Sequence, residues 1–539
     1  MSEISGQSNP AGKTVVLVLP KALGDPDPEK LRATLVDPSR SVRVLLYLPD
    51  SMGHALAAAL AKLQVETEIL LAPEVDAPET GAFYLHMLPG TLPKDQIEFA
   101  LALSDAVLVA PEFEQSALAV AARDLAKPIV APGDRLPDIP SSTDVTDHLD
   151  PELPGWRSRG RRGFGRLEQG IMELLAFGWL GWTEAGIAES RKKVRKCVSK
   201  NWPPGPYFAP QGWEKLTPDK AARDASSKIV ASFDAMDRSA VHGSYVHRDL
   251  TWLAYFGAAF AVFAAVFGQI GDENTGHGQG HGQGGAWRIV WGIVEFVTLA
   301  GVAALVVLAR RYSLQERWTA CRLGAEQLRI ARMSLPLLVL PPALATADTR
   351  PTGNAHTSKE TELGLVALAQ VKRIVRDQGL PRLDPAPTPA QAADWLQWII
   401  NDQTDYHHNN HHKLERAEGR LRFATQAFFV IAMIAVLAHF CSHAKWLLLL
   451  TAAGPAFAAA LHGAGTRLGI VHRGALSLEM ERELKHIGTS LKKLVKNLPP
   501  AEQDAWREVR RLAFEAANAM GRESTSWHGL VRRYRDELP

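Results

Sequence analysis

The chain is poor in cysteine: Cys197, Cys321 and Cys441 are the only three in 539 residues, and none shares a CxxC spacing. That usage argues against a disulfide scaffold and against a cysteine-rich metal centre. Neither sign of charge dominates, with Lys+Arg 60 against Asp+Glu 58 and a net charge of +2. No nucleic-acid partner is therefore expected. The first residues, MSEISGQSNPAGK, are polar and carry no apolar h-region, so no cleavable signal peptide is expected and the first ~240 residues are placed in the cytoplasm. Residues 13–133 hold no GxGxxG, no Walker A loop and no GxSxG. Neither a dinucleotide site nor a nucleophile elbow is read there, and no cofactor is expected.

Charge is also missing, apart from Glu295, from four long windows, and here the absence is informative. TWLAYFGAAFAVFAAVFGQIG, from Thr251 to Gly271, has no charged residue and at ~1.5 Å per residue is long enough for the ~30 Å hydrocarbon core. After a Gly/His loop, IVWGIVEFVTLAGVAALVVLA runs up to Arg310 and Arg311. Phe423 to Ala444 and Trp446 to Thr466 form a second pair, interrupted only by His439, His443 and His462. The connection between them is too short for anything but a tight hairpin. Four transmembrane helices in two hairpins follow, with the lipid bilayer as first partner. Arg248, Arg310, Arg311, Arg317, Arg416, Arg420, Arg422, Arg467 and Arg473 flank one side, against Arg288 and Lys445 on the other. The positive-inside rule then puts both short loops outside and both termini in the cytoplasm.

Within the spans, Gly257, Ala261 and Ala265 recur every four residues, a spacing that lets helix backbones approach closely. Gly454 and Pro455 predict a kink in the fourth span. Glu295 is the one acidic residue in a span, at a cost of roughly 2.5–3.5 kcal/mol if central. Gly257, Ala261, Glu295 and Pro455 are the pore or gating candidates. The competing reading is packing within one bundle, with Glu295 meeting Arg288 at the membrane surface.

Residues 13–133 alternate short apolar runs with helix-like stretches. KTVVLVLP, SVRVLLYLP, ETEILLAP, DAVLVAP and KPIVAP read as strands, and GHALAAALAKL, DQIEFALAL and QSALAVAARDLA as helices. The alternation predicts a cytosolic α/β Rossmann-like domain with a parallel sheet. Ligands of such sheets bind at the carboxyl ends of strands. Those ends carry Lys21, Ala22, Leu23, Gly24 and Asp25, then Asp50, Ser51, Met52 and Gly53, then Glu112, Glu114, Gln115 and Ser116. Lys21, Gly24, Asp25, Ser51, Gly53, Glu112, Glu114 and Ser116 are the ligand-binding candidates.

The remaining segments are a linker and stalk (134–246), the first hairpin with a following helix (247–345), a helical connector (346–400), and the second hairpin with C-terminal helices (401–539). The RKKVRK run beside Cys197 suits anionic headgroups or a solvated helix face. ADWLQWIINDQTDYHHNNHHKLERAEGRLR is helical and is expected to continue unbroken into the third span. In it, His407, His408, His411 and His412 have i, i+4 spacings suited to zinc or nickel. With no cysteine or acidic ligand recognised beside them they are read as a polar helix face, and no metal is expected.

DRSAVHGSYVHRDLTWLAYFGAAFAVFAAVFG and ERWTACRLGAEQLRIARMSL resemble the membrane core of bacterial proteins that join a SLOG-type sensor to transmembrane hairpins. WLQWIINDQTDYHHNNHHKLERAEGRLR, the second hairpin and FEAANAMGRESTSWHGLV resemble the two-span SLATT effector module. Trp318, Arg322, Glu326, Arg329, Tyr406, His407, Arg420, Glu523 and Trp527 carry the likeness, which covers roughly residues 230 to 535. It implies an inner-membrane effector of antiphage defence that forms pores or perturbs the membrane as a homo-oligomer when a nucleotide-derived ligand is sensed. VLPKALGD stands where the sensor family has a Gly-rich phosphate loop. Two other functions remain open: a membrane-anchored nucleotide-processing enzyme using Glu112 or Glu114 as acid/base, and a noncatalytic membrane scaffold.

Overall fold

The computed structural model describes residues 14–23, 27–36, 42–49, 54–71, 83–86, 97, 99–101, 103–124, 127–136, 171, 227–274, 283–311, 314–337, 339, 359–378, 387–442 and 444–533. The N-terminal part is a six-stranded parallel sheet: β1 Thr14–Val18, β2 Val42–Leu48, β3 Glu66–Leu71, β4 Phe83–His86, β5 Ala106–Leu108 and β6 Ile129–Val130. Their spatial order is β4-β3-β2-β1-β5-β6. The helices interleaved with them are α1 Pro20–Leu23, α2 Pro28–Leu35, α3 His54–Lys62 and α4 Ala117–Asp124.

The apolar runs are continuous because both faces of the sheet are covered. Val16, Val18, Val44 and Leu46 pack on one face with Leu31 and Leu35 of α2 and Leu56 and Leu60 of α3. Val15, Leu17, Leu45 and Tyr47 pack on the other with Leu118 and Ala122 of α4. Arg43 sits in the middle of this apolar strand pattern because it faces Glu66 on β3 and pairs with it at 2.8 Å. Asp105 ties down the amino end of β1 by accepting from the Val15 amide at 2.9 Å.

Among the described residues eight long helices follow: α5 Ser227–Asn274, α6 Gln283–Arg311, α7 Leu314–Ser334, α8 Lys359–Gln378, α9 Pro389–Ser442, α10 Trp446–Arg467, α11 Ile470–Lys496 and α12 Glu502–Arg533. Four of the described helices are long and apolar enough to cross a membrane. Their apolar stretches lie in α5, α6, α9 and α10. The sequence boundaries at 246/247 and 400/401 fall inside α5 and α9, each of which runs unbroken from a polar half into an apolar one. α5 packs along α6, α9 along α10, and the two hairpins meet through α5 and α10. Ile289, Phe296 and Val297 of α6 are exposed, the burden of a helix that packs mainly on one neighbour and turns its other sides to lipid.

Close contacts set the hairpins. A Cβ at Gly257 would lie 2.7 Å from Val302 Cγ2 and one at Gly454 3.0 Å from the Ala432 Cβ, so these glycines allow the backbones of each hairpin to approach. Near one end of the first hairpin Phe263, Phe267, Trp287 and Trp291 form an edge-to-face and tilted cluster, placed as aromatic residues are at a membrane interface. Gly469 ends α10 in the left-handed region at φ 60°, which a glycine adopts without steric cost. The chain thereby turns from the fourth span into α11.

Outside the apolar spans, α7, α8, α9, α11 and α12 share one core. Leu328, Val371, Leu396, Ile400, Leu484, Leu491, Trp506 and Leu512 belong to it, together with Ile229 and Phe233 of α5 and the Val15/Leu17 face of the sheet.

Candidate functional site

Polar chemistry gathers at the strand ends of the sheet, at a charged junction where four helices meet, and along the contact of α9 with α11. At the strand ends, β1 and β5 are neighbours, and the Ala110 amide donates to the Ala22 carbonyl at 2.9 Å. This joins the segment carrying Lys21 to the one carrying Glu112, Glu114 and Ser116. Lys21, Glu112, Glu114 and Gln115 are exposed, while Ala22 and Leu23 are buried in the core. Glu112 lies in a 3-10 turn, Pro111–Phe113. The Glu114 carbonyl accepts from Arg123 at 2.7 Å. Ser116 accepts from the Ala119 amide at 3.3 Å, the geometry of a helix N-cap. Gly24, Asp25, Asp50, Ser51, Met52 and Gly53 lie outside the described residues, as do RKKVRK and the Gly/His loop residues His277 and His281.

The span candidates are dispersed. Gly257 packs on Val302, Ala261 and Ala264 are buried, and Ala265 is half-buried. Gly257 lets α5 approach α6 at this point. Glu295 is half-buried on α6, and seven residues, or about 10.5 Å of helix rise, separate it from Arg288. Among the described residues no ion pair joins the two. Pro455 sits inside α10, beside the Gly454 contact.

The charged junction is more organised. Arg322, Glu326 and Arg329 are spaced four and three apart on α7, which puts them on one face. Arg322 reaches Asp237 of α5 at 3.1 Å and also pairs with Glu326. Arg329 pairs with Glu326 at 2.9 Å, and its guanidinium lies 5.5 Å from the centre of the Phe233 ring. From α9, His407 approaches Glu523 of α12, Nε2 to Oε2 at 3.6 Å. His407 is 2% exposed, and its Nδ1 has no hydrogen-bond partner among the described residues. Tyr406 stands next to it, ring edge to face.

The electrostatics follow from this crowding. Burial pushes Glu523 up to about 7, and the nearby Glu326 adds to the push against the pull of Arg322 and Arg329. Burial drives His407 down to about 4, with Glu326 opposing and the two arginines assisting. Glu326 shifts downward: burial raises it, but Arg322 and Arg329 outweigh burial. At neutral pH Glu326 is therefore a carboxylate held between two guanidinium groups. Glu523 is the member of the group that titrates there.

A raised carboxyl favours the folded state most when protonated. Its contribution is complete below the ordinary value of 4.5 and is lost as pH rises through about 7. Glu523→Gln is thus expected to be more stable than the parent at pH 8 and to lose that advantage toward pH 5. The gap should be on the order of 1–3 kcal/mol, the low end allowing for partial exposure. Thermal unfolding of both proteins across that range checks it; parallel curves would remove Glu523 as the titrating group.

The four clustered histidines divide between two neighbours. His407 faces the junction, whereas His408 pairs with Glu481 of α11 at 2.9 Å and His411 meets the Gly474 carbonyl of α11 at 3.1 Å. Asn410 donates to Ser477 of α11 at 2.7 Å. Glu415, which lies one turn beyond His411, is within 3.7 Å of His411 and 3.4 Å of His412. It is the acidic neighbour that the sequence reading passes over.

Among the resemblance residues, Arg322, Glu326, Arg329, Tyr406, His407 and Glu523 come together in the junction. Trp318 is buried below the first span, where a Cβ at Gly243 would lie 2.5 Å from its own Cβ. Arg420 is on α9 nearer the membrane, and the side chain of Trp527 lies outside the described residues. Comparison of the chain with protein families, curated proteins and solved structures gives no match.

Proposed function

We propose that the chain is a bacterial inner-membrane effector of antiphage defence, in which a Rossmann-like, SLOG-like cytosolic domain controls a membrane bundle that ends in a SLATT-like hairpin. The input is a nucleotide-derived or protein signal, and the output is a perturbed membrane or a pore formed by a homo-oligomer. Both termini are cytoplasmic, in keeping with the arginines at the inner ends of the spans. The parallel sheet reverses its order between β1 and β5, the kind of position where open α/β sheets bind ligands. Lys21, Glu112 and Glu114 line that position.

One observation carries the reading. α5 begins in the core that includes the sheet face, with Ile229 and Phe233, supplies Asp237 to the charged junction, and then becomes the first span without a break. α9 likewise passes from the junction into the third span. A change at the sheet thus has two continuous helices through which to reach the bilayer. Signalling further requires that the ligand bind the resting and active states with different affinity.

The experiment is dye release from liposomes containing the full-length chain, with nucleotides added one at a time. Release that depends on one nucleotide and on Lys21 supports the reading. Vesicles that stay tight with every nucleotide tested, although the protein inside them is oligomeric, overturn it.

A further inference from the structure

We propose that His411, His412 and Glu415 on α9 form a binding site for a divalent transition-metal ion of the zinc class. The three residues offer two imidazole nitrogens and a carboxylate oxygen, all within 4.8 Å of one another. Glu415 Oε2 stands 3.7 Å from His411 Nε2 and 3.4 Å from His412 Nδ1. A tetrahedral ion with ligands at about 2.0 Å separates them by roughly 3.3 Å, so small side-chain rotations close the set. Two histidines and one glutamate leave the fourth position to water.

The second observation is the state of the His411 ring. Its Nδ1 lies 3.1 Å from the Gly474 carbonyl, and a carbonyl only accepts, so Nδ1 carries the proton and donates. In the neutral ring Nε2 is then the bare nitrogen, and it is Nε2 that faces Glu415. A backbone carbonyl that fixes the tautomer and the plane of a metal-binding imidazole is the usual outer support of such sites. The ring is held from α11, while the ligand atoms come from α9. His411 is mostly buried, and His412 and Glu415 are exposed, which gives an ion access from solution.

An ion at this place locks the His411 ring in the orientation that its bond to α11 requires. Metal binding should therefore stabilise the α9–α11 contact and raise the unfolding temperature by simple linkage. His408 adds a neighbouring link, since it binds Glu481, which is itself paired with Lys485 at 2.5 Å. His408 is not needed as a ligand.

The test uses the untagged full-length protein in detergent, freed of metal by a chelator. Zinc is titrated against a fluorescent zinc indicator, and thermal unfolding is followed with and without zinc. One ion per chain is expected, together with a rise in unfolding temperature. His411→Ala and Glu415→Gln should each weaken binding roughly tenfold or more and abolish that rise, while His486→Ala, on α11, should change neither. Glu415 is exposed, so its substitution leaves folding intact and keeps the test decisive if the histidine variant misfolds. Equal zinc binding by the parent and by Glu415→Gln and His411→Ala, or weak binding of several adventitious ions without a thermal effect, overturns the proposal.

Discussion

Replacing Arg322 by Met is expected to destabilise the protein by about 2–3 kcal/mol, the cost of leaving an ion group without one of its partners, reduced because its side chains keep 18–25% exposure. Arg322 joins Asp237 of α5 to Glu326 of α7, and without it Glu326 keeps only its pair with Arg329 on α7. Arg322→Lys should lie between the parent and Arg322→Met, because an ammonium supplies charge but not the planar fork that serves two carboxylates at once. Removing the charges together, as Asp237→Asn, Arg322→Met and Glu326→Gln, should recover much of the loss. Thermal unfolding of the purified proteins in detergent ranks the four. An unfolding temperature for Arg322→Met equal to the parent's would show that the network contributes nothing to holding α5 on α7.

Trp506→Ala should have a larger effect, about 3–5 kcal/mol, by opening a large cavity in a closely packed core. Trp506 is 1% exposed and belongs to the cluster that includes Leu396 and Ile400 of α9 and Leu484 and Leu491 of α11. The indole holds α12 against its neighbours, and α12 carries Glu523. Early proteolytic loss of α12, at a temperature where the parent resists, is the expected companion of the lower stability. Trp506→Phe, which keeps an aromatic ring in the space, should lose about half as much. If Trp506→Ala unfolds and is cleaved like the parent, α12 is held by something other than its apolar face.

The spans were legible because four windows of sufficient length hold a single charged residue between them, Glu295, a property of composition that tertiary context does not alter. The sheet was legible in five of its strands from Val- and Leu-rich runs. FYLH at Phe83–His86 escaped because four residues at a sheet edge carry no periodicity to read. PEKLRATL was not among the helices read from the sequence, although Asp27, which accepts from the Glu29 amide at 2.9 Å, and Pro28 are the start signal of α2. The charged junction was legible only in part. Arg322, Glu326 and Arg329 mark one helix face by spacing, but nothing local to α7 announces that Asp237, 85 residues away, completes the set. Glu523 lies on yet another helix. Likewise the four histidines looked like one cluster in a line of text, and only their different neighbours, Glu523 for one and α11 for two, separate them.

α9 is a single rod of 54 residues, about 80 Å from end to end. It has one glycine, Gly419, around which a Cβ would meet nothing within 4 Å, and that glycine stands four residues before Phe423, where the third span begins. In mechanical terms the rod is stiff where it is gripped by α11 and softest at the waterline, since a glycine inside a helix is its least rigid link. A twist applied at the histidines is delivered to the bilayer only as far as that one joint resists bending.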